Sequence, residues 1–382
     1  MHVAVNTRFL LPGDHLEGIG RFSYETLLHL VAQHPQVTFH FLFDRPFDKR
    51  YLFGPNVVPH VLFPPARHPF LYVAWFEGAV ARWLARHRPA VFLSPDGFTT
   101  LNASVPRVTV IHDLAFEHFP LDVGFLQRKY YHFFMPRFVR SSVQVVAVSE
   151  ATKADLVQTY GTAAEKISVA YNAPSHFFRP EPEASQRETR RKFSHGQPYF
   201  LFVGALQPRK NLGTLLRAFD QFKESNVLAA HDAQLLIVGR KAWKAGPILE
   251  AYQQMRHQKS VHFTGRVADA ELAGLYAAAR ATVYVPYFEG FGIPIVEAQA
   301  SGCPVLTSGV SSMPEVAGPG GALLANPLDT QAIAAGLARL WQDADLRQQL
   351  VAQGHANLAR FSWAQSAEVL WQAIGRAMRN EE

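Results

Sequence analysis

The sequence predicts an α/β protein of two doubly wound domains, each built on a parallel sheet covered by helices. Short apolar runs alternate with amphipathic segments along almost the whole chain, which is the pattern of such sheets. The chain has 382 residues, which is long for one domain. A segment dense in proline and charge, 176–194, separates two series of apolar runs and is the predicted linker.

The first series of runs predicts six strands and the second predicts five. In chain order these runs are HVAVNT, VTFHFLF, AVFLS, RVTVIH, VQVVAVS and ISVAY, then PYFLFVG, AQLLIVG, SVHFTG, ATVYVP and CPVLTS. We expect an N-terminal domain over 1–175 and a second domain over 195–362. The amphipathic segment 363–382 is a predicted helix that Ser362 can cap. Ligands of such domains bind at the carboxyl ends of the strands.

Composition excludes several classes of protein. Cys303 is the only cysteine, so an intrachain disulfide and a thiolate metal site are excluded. No run approaches the roughly 20 apolar residues of a membrane span, and the first residues lack a signal-peptide pattern. The net charge of +6 is spread without a polybasic arm, which argues against a nucleic-acid partner. We therefore expect a cytoplasmic protein.

The segment GFLQRKYYHFFMPRFVR mixes four cationic residues with several aromatic ones. One interpretation is peripheral docking on the anionic inner face of the cell membrane. The other, which we favour slightly, is a core helix with a solvated basic face. The pattern by itself leaves both open.

The segment FEGFGIPIVEAQASGCP places Glu289 and Glu297 eight positions apart. Gly290 and Gly292 permit positive φ and close ligand approach, and Pro294 suits the first turn of a helix. Amides at that helix N-terminus favour a phosphate, while the carboxylates accept hydrogen bonds from hydroxyl groups, so the segment suits a sugar nucleotide. The alternative is that the glycines and the proline only shape a turn, and that the glutamates are a solvated residue and a cap.

The segment FVGALQPRKNLGTLLRAF follows the first strand of the second domain. Gly204 lies in the predicted turn, and Arg209 and Lys210 precede a helix with Asn211 as its cap. Two adjacent cations suit a diphosphate and would stabilise the charge that develops on a nucleoside diphosphate leaving group. The alternative is a solvated pair, but cations at the positive end of a helix are locally unfavourable, so the placement indicates an anion.

The first domain offers two weaker signals. In EGIGRF, Gly18 and Gly20 lie in the predicted turn between a strand and a helix, where backbone amides can approach a phosphate. In VIHDLAF, His112 and Asp113 follow a strand, and His112 is a candidate donor to a substrate hydroxyl. A structural turn and a satisfied structural histidine are the alternatives.

Other enzyme classes lack their motifs. Ser23 occupies the third glycine position of a dinucleotide fingerprint, which disfavours a dehydrogenase. No G-x-S-x-G elbow supports a triad hydrolase. The acids of DAD, Asp343 and Asp345, are typical of helix caps rather than of metal ligands. We expect no catalytic metal, and no cofactor apart from a nucleotide sugar used as substrate.

The motifs GIGRF, IHDL, VSEATKADL, VGALQPRKN, HFTGRVADAELAGLY and YFEGFGIPIVEAQASGCPVLTS occur in this order along the chain. With them, the chain resembles the retaining glycosyltransferases of family four over nearly its full length. The resemblance implies the GT-B fold, in which two Rossmann-like domains face across a cleft and a C-terminal helix crosses back to the first. The segments GIGRF and IHDLAFEHFP are similar to bacterial polysaccharide mannosyltransferases, which implies mannose from GDP-mannose. A departure is YNAPSHFF, where relatives often carry an N-G-V-D type sequence.

The resemblance also implies a role for each candidate site residue. It implies that Glu297 holds the ribose and that Glu289 contacts sugar hydroxyls. It implies that Arg209 and Lys210 bind the diphosphate together with the backbone amides of Phe291, Gly292 and Ile293. It also implies that Gly20 approaches phosphate or acceptor, that His112 lines the sugar pocket and that Val267 lies by the nucleobase. The acceptor would be a glycan or a lipid-linked glycan.

A retaining enzyme of this family implies front-face attack, in which a donor phosphate oxygen accepts the proton of the acceptor hydroxyl and no protein base is needed. Two other hypotheses stay open. One is a non-catalytic sugar-nucleotide-binding or scaffold subunit. The other is a phosphorylase or epimerase of the same architecture.

Overall fold

The computed structural model describes residues 1–379 except 12, 14, 15, 17, 226–229 and 241–245. Its contacts divide the chain into two compact units. Unit 1 consists of Met1–Asn172 with Ser362–Glu382, and unit 2 of Ala173–Phe361. Each unit has its own parallel sheet, as predicted.

Unit 1 contains a sheet of seven strands in the order β3-β2-β1-β4-β5-β6-β7, and every described pairing is parallel. The strands are His2–Asn6 (β1), Thr38–Phe43 (β2), Val57–Val61 (β3), Val91–Ser94 (β4), Arg107–Ile111 (β5), Gln144–Ala147 (β6) and Ile167–Val169 (β7). The helices before the second unit are Gly18–Gln33 (α1), Pro69–Val73 (α2), Ala81–His87 (α3), Ala115–His118 (α4), Phe125–Ser141 (α5) and Glu150–Tyr160 (α6).

Unit 2 contains a sheet of six strands in the order β10-β9-β8-β11-β12-β13, again with parallel pairings. The strands are Tyr199–Val203 (β8), Gln234–Val238 (β9), Val261–Gly265 (β10), Ala281–Tyr284 (β11), Val305–Ser308 (β12) and Leu323–Ala325 (β13). The helices are Glu183–Ser194 (α7), Leu212–Ser225 (α8), Gly246–Gln253 (α9), Asp269–Ala278 (α10), Ile293–Ala300 (α11), Met313–Ala317 (α12), Thr330–Gln342 (α13) and Ala344–Asn357 (α14).

All of the predicted strands form, and two strands were missed. The missed ones are β3 and β13, which lie at the edges of their sheets. Pro59 interrupts β3, and an edge strand tolerates the missing amide. β13 has only three residues, and Leu324 within it is 49% exposed. Edge strands are buried less than central ones, and their sequence signal is correspondingly weak.

The prediction of a linker over 176–194 is corrected by the structure, because residues 183–194 form helix α7 in unit 2. This helix is polar on most sides, so its sequence shows little apolar periodicity. Contacts with α10 hold it in place: Arg190 donates to Ala278 O at 3.1 Å, and Lys192 Nζ lies 2.5 Å from Glu271 Oε1. Tertiary hydrogen bonds stabilise a helix that the hydrophobic pattern does not indicate.

The last described element is helix α15, Trp363–Arg379, which lies in unit 1 and packs against α1. Its buried side includes Trp363, Leu370 and Ile374, whereas Val369 and Trp371 are only half-buried. The Ser366 hydroxyl donates to Tyr171 O at 2.5 Å and so ties the helix to the end of the first chain segment.

Candidate donor site at the carboxyl ends of the strands of unit 2

The predicted donor-site residues of unit 2 come from loops that follow neighbouring strands. A short 3-10 turn, Pro208–Lys210, follows β8, and the loop with Glu289 follows β11. Strands β8 and β11 are adjacent and parallel, so both loops emerge at the carboxyl ends of the strands. Residues about 80 positions apart in sequence therefore meet.

Arg209, Lys210 and Glu289 form one ion cluster. Glu289 is 9% exposed, and its Oε1 lies 2.8 Å from Arg209 Nη1 and 2.5 Å from Lys210 Nζ. Arg209 Nη1 also donates to Phe288 O at 3.0 Å. The structure thus brings the two predicted phosphate-binding cations and the predicted sugar-binding acid to one point.

The protonation states of the cluster follow from its charges. Burial acts to raise the pKa of Glu289, but the charges of Arg209 and Lys210 outweigh it and hold that pKa below its usual value. Burial and the nearby carboxylate raise the pKa of Tyr284 well above its usual value. Tyr284 therefore keeps its proton, donates to Glu289 and accepts from Lys210 Nζ at 2.7 Å. The cluster contains an ionised acid and two cations, and its net charge is positive.

Tyr284 was missed by the sequence analysis, and Asn211 was misassigned. Asn211 has φ +59, and its amide Nδ2 donates to Val285 O at 2.9 Å and Pro327 O at 2.7 Å. It therefore joins the loops after β8 and β11, and it does not cap α8 through its side chain as we predicted. Only the fold brings those carbonyl groups within reach.

The loop with Glu289 is held by two serines that the sequence analysis also missed. Ser311 Oγ donates to Glu289 O at 2.7 Å, and Ser312 Oγ lies 2.9 Å from both Glu289 O and Phe291 O, which share its one proton. Since backbone acceptors anywhere in the chain can receive such bonds, no local motif identifies these serines. They fix the backbone that carries the buried acid.

Helix α11 begins as its glycine-rich sequence predicts. Gly292 is the N-cap with φ +100, and Ile293 is the first helical residue, followed by Pro294 in the first turn. A Cβ at Gly292 would lie 2.7 Å from Met313 Cε, so only glycine fits this cap without a rearrangement. The first amides of a helix have no partner within the helix, which makes this terminus suited to an anion.

Glu297 lies on α11 and is half-buried. The Tyr276 hydroxyl, which is fully buried, donates to Glu297 Oε2 at 3.0 Å. Tyr276 therefore fixes the orientation of the second predicted acid. Its sequence position, 21 residues before Glu297 on α10, gives no indication of this contact.

Gly204 and Val267 also lie at the carboxyl ends of the strands of unit 2. Gly204 follows β8 with φ +156, and its amide donates to Val238 O at 2.9 Å. A Cβ at Gly239, after β9, would lie 1.9 Å from Gly204 O, so Gly239 has no room for a side chain. Val267 is half-buried in the loop after β10. Both predicted binding residues thus lie at carboxyl ends of strands.

In unit 1, Gly20 differs from its predicted place. Helix α1 begins at Gly18, so Gly20 lies in its first turn rather than in the preceding connection. A Cβ at Gly20 would lie 2.9 Å from Phe9 O. Glycine is therefore required at this point by the close approach of the loop that follows β1.

His112 follows β5 in unit 1, and its Nε2 lies 2.7 Å from Pro95 O. Burial lowers the pKa of His112, while the Pro95 carbonyl opposes the shift. A carbonyl oxygen only accepts, so the proton of the neutral ring is on Nε2 and is already used. In this state His112 offers an acceptor, Nδ1, and not the donor that we predicted.

The sequence analysis missed a buried ion pair at the carboxyl ends of β1 and β4. Arg8 Nε donates to Asp96 Oδ2 at 2.9 Å, and Asp96 Oδ1 accepts from Ser94 Oγ and from the Phe98 amide. The guanidinium carbon of Arg8 lies 4.4 Å from the ring centre of Phe98. The signal that this pair offered was a charged residue within two positions after each apolar run.

Over the residues that it describes, the structure also bears on the predictions about metal sites, helix-capping acids and membrane spans. There, no group of three or more His, Cys, Asp or Glu side chains is arranged to hold a metal ion, and metal independence stays a prediction. Asp343 caps α14 by accepting from the Leu346 amide at 2.9 Å, which confirms its predicted role. None of the helices seen over these residues has the length and apolarity to cross a bilayer.

Comparison with protein families gives two matches. The model described as Glycosyltransferase Family 4 matches residues 16–173, and the model described as Glycosyl transferases group 1 matches residues 185–356. Together these matches cover most of both units.

The relatives among curated proteins include bacterial mannosyltransferases. O-antigen chain mannosyltransferase B of Escherichia coli is 31% identical over 261 residues, which is 67% of this chain and 66% of that protein. O-antigen chain mannosyltransferase RfbU of Salmonella typhimurium is 28% identical over 281 residues, which is 72% of each. The chain matches 35% of the length of the serotype-specific mannosyltransferase WbdA of Escherichia coli, with 26% identity over 74% of this chain.

Solved structures show the same fold. WaaG, a glycosyltransferase involved in lipopolysaccharide biosynthesis, superimposes with a TM-score of 0.73 at 18% identity over 96% of this chain and 97% of that one. HepE of Anabaena, in complex with UDP and glucose, gives a TM-score of 0.74 at 18% identity over 98% and 99%. The two Rossmann-like parallel sheets are those of the GT-B fold, as predicted. The chain therefore belongs to the family-four, or group 1, glycosyltransferases.

Proposed function

We propose that the protein is a retaining glycosyltransferase that moves a hexose from a nucleotide sugar to a glycan or lipid-linked glycan acceptor during synthesis of a cell-surface polysaccharide. The ion cluster of Arg209, Lys210 and Glu289 is the observation that carries this proposal. Its net positive charge and its position beside the N-terminus of α11 suit a diphosphate. Mannose from GDP-mannose is the best candidate donor, because the most similar relatives named above are O-antigen mannosyltransferases.

In the proposed reaction the diphosphate departs as the bond between C1 of the sugar and its oxygen breaks. Arg209 and Lys210 neutralise the charge that accumulates on the leaving group, and Glu289 keeps both cations in place before the donor arrives. The acceptor hydroxyl attacks from the same face and gives its proton to a phosphate oxygen of the leaving group. No protein base and no metal ion takes part in this scheme.

The test of the donor is incubation of purified protein with a panel of sugar nucleotides, followed by mass spectrometry and linkage analysis of the products. We expect consumption of GDP-mannose to exceed that of UDP-glucose and UDP-galactose. Protection from heat by UDP but not by GDP would overturn the guanine assignment. Binding without turnover would instead favour a scaffold subunit, and phosphate-dependent release of a sugar phosphate would favour a phosphorylase.

We also propose that α5 docks peripherally on an anionic membrane surface where the acceptor resides. Its buried side packs inward through Met135 and Phe138, while Phe125 and Phe133 are 63% and 50% exposed. The guanidinium of Arg137 lies 3.8 Å from the ring centre of Phe133, and α5 contains no acidic residue. Exposed aromatic rings interleaved with cations are typical of helices that lie at lipid interfaces.

Co-sedimentation with liposomes tests this contact. We expect binding to vesicles that contain phosphatidylglycerol and little binding to pure phosphatidylcholine, with a loss of binding in the Phe125→Ser/Phe133→Ser variant. Leu328→Ser, at a 76% exposed position of unit 2, is the matched control. If binding does not depend on the anionic lipid content of the vesicles, the proposal is wrong.

A further inference from the structure

A second concave site of unit 2 lies at the amino ends of the strands, opposite the carboxyl ends that carry the donor-site residues. A cavity of about 680 Å³ lies where β8, β11 and β12 begin. Pro198, Arg280 and Pro304 line it, and each directly precedes one of those strands. The donor-site loops follow the carboxyl ends of the same sheet, so the two sites are separate. The volume is that of a typical small-molecule pocket.

The lining of this cavity is strongly cationic. It includes Arg190, Arg280 and Arg347, and no acidic residue is among the described lining residues. Glu183 neutralises Arg190 at 3.0 Å. Over the described ranges, neither Arg280 nor Arg347 has a carboxylate at salt-bridge distance. Asp232 and Asp343 act on these two arginines only from farther away, so neither guanidinium group is paired directly with an acid.

The two arginines converge on one carbonyl group. Arg280 Nη2 donates to Trp341 O at 2.5 Å, and Arg347 Nη1 donates to the same oxygen at 3.1 Å. Arg347 Nη1 also reaches Leu340 O at 2.9 Å. These carbonyls end α13, and a cation is favourable at a helix C-terminus, which accounts for one nitrogen of each arginine. It leaves the other donors of both guanidinium groups unexplained.

One of those remaining donors is buried. Arg280 Nε lies out of contact with solvent and has no hydrogen-bond partner in the described structure. A buried donor without an acceptor destabilises the structure around it. An anionic ligand in the cavity would offer acceptors to the remaining donors of the two guanidinium groups and would reduce the repulsion between Arg280 and Arg347. Burial and the charge of Arg347 both lower the pKa of Arg280, whereas the charge of Asp232 acts in the opposite direction.

We propose that this cavity binds a small phosphorylated metabolite, with its phosphoryl group on Arg280 and Arg347. A phosphoryl group carries several acceptor oxygens and up to two negative charges, and guanidinium groups match its geometry with paired donors. The remainder of the ligand would lie against the apolar wall that Val351 and Ala352 provide on α14. The site is thus a second phosphate site of unit 2, distinct from the donor site and independent of the proposed transfer reaction.

Isothermal titration of the full chain with inorganic phosphate and with glucose 6-phosphate tests the proposal, in sodium chloride of matched ionic strength. We expect both probes to bind the wild-type chain, glucose 6-phosphate more tightly. The Arg280→Gln/Arg347→Gln variant should bind at least about tenfold more weakly, because it loses both positive charges and their charge-assisted hydrogen bonds to the phosphoryl group. Arg376→Gln, which removes a charge from α15 in unit 1, should titrate like the wild type.

Two further variants separate binding from folding and from the donor site. Arg280→Lys/Arg347→Lys keeps both charges but loses the paired donors, so it should fold and bind with intermediate affinity. Lys210→Ala alters the phosphate-binding part of the donor site, so it should remove only probe binding at that site and keep the binding that the Arg280→Gln/Arg347→Gln variant loses. The proposal is wrong if neither probe binds the wild type at millimolar concentration, if the glutamine variant binds as tightly as the wild type, or if Lys210→Ala abolishes binding.

Discussion

Replacing Lys210 by alanine is expected to lower kcat/KM for the sugar-nucleotide donor by roughly 10²–10³-fold. The Nζ group lies 2.5 Å from Glu289 Oε1 and 2.7 Å from Tyr284 Oη, so it is fixed before the substrate binds. Charge that develops on the leaving diphosphate would lose one of the two cations that face it. Steady-state kinetics of donor consumption measure the effect, and we expect most of it in kcat because the lost interaction strengthens in the transition state.

The matched control is Lys192→Ala, which removes the same charge from the surface of α7. Lys192 pairs with Glu271 at 2.5 Å, but its side chain is 60% exposed, and exposed pairs contribute at most about 1 kcal/mol. We expect its kinetics to stay within about twofold of the wild type. Thermal unfolding of Lys210→Ala must accompany the assay, since Glu289 keeps only Arg209 as a cationic partner. A folded Lys210→Ala protein with the same kinetics as Lys192→Ala would contradict the proposed role.

Replacing Gly239 by alanine is expected to destabilise unit 2 by roughly 2–5 kcal/mol. Its φ of +153 is unfavourable for a residue with a side chain, and the added Cβ would lie 1.9 Å from Gly204 O and 2.6 Å from Gly204 C. Backbone atoms cannot rotate away as a flexible side chain can, so the ends of β8 and β9 must separate. Urea-induced unfolding, followed by circular dichroism, measures the loss as a lower midpoint.

Gly246→Ala is the control for this prediction. Gly246 begins α9 in the same unit, has no atom within 4 Å of an added Cβ and has no positive φ. We expect its midpoint to equal or slightly exceed that of the wild type, because alanine favours the helix. If the free energy of unfolding of Gly239→Ala lay within about 1 kcal/mol of that of Gly246→Ala, the two strand ends would have to separate easily.

The sequence predicted the central strands because their residues are apolar without interruption. It missed β3 and β13, where partial exposure and, in β3, Pro59 weaken the pattern. It also missed α7, which packs against α10 and whose Arg190 donates to Ala278 O of that helix. Local periodicity reports burial, so elements that are stabilised mainly by polar tertiary contacts leave little signal.

The candidate site shows the same division. The adjacent cations Arg209 and Lys210 and the acid Glu289 were identified from their residue types and from their positions after apolar runs. The supports of the cluster, among them Tyr284 and Ser312, have no local signature because their hydrogen bonds join distant segments. For the same reason Asn211 was taken for a helix cap.

The sequence by itself determined the class of fold, the order of the central elements and the charged residues offered at the strand ends. Hydrophobic period and glycine placement suffice for that, because they act over a few neighbouring residues. Only the tertiary structure decided that Arg209 and Phe288, 79 positions apart, hydrogen-bond and that one carboxylate oxygen receives both cations. Strand order and burial set those distances, and both depend on packing between segments that are remote in the chain.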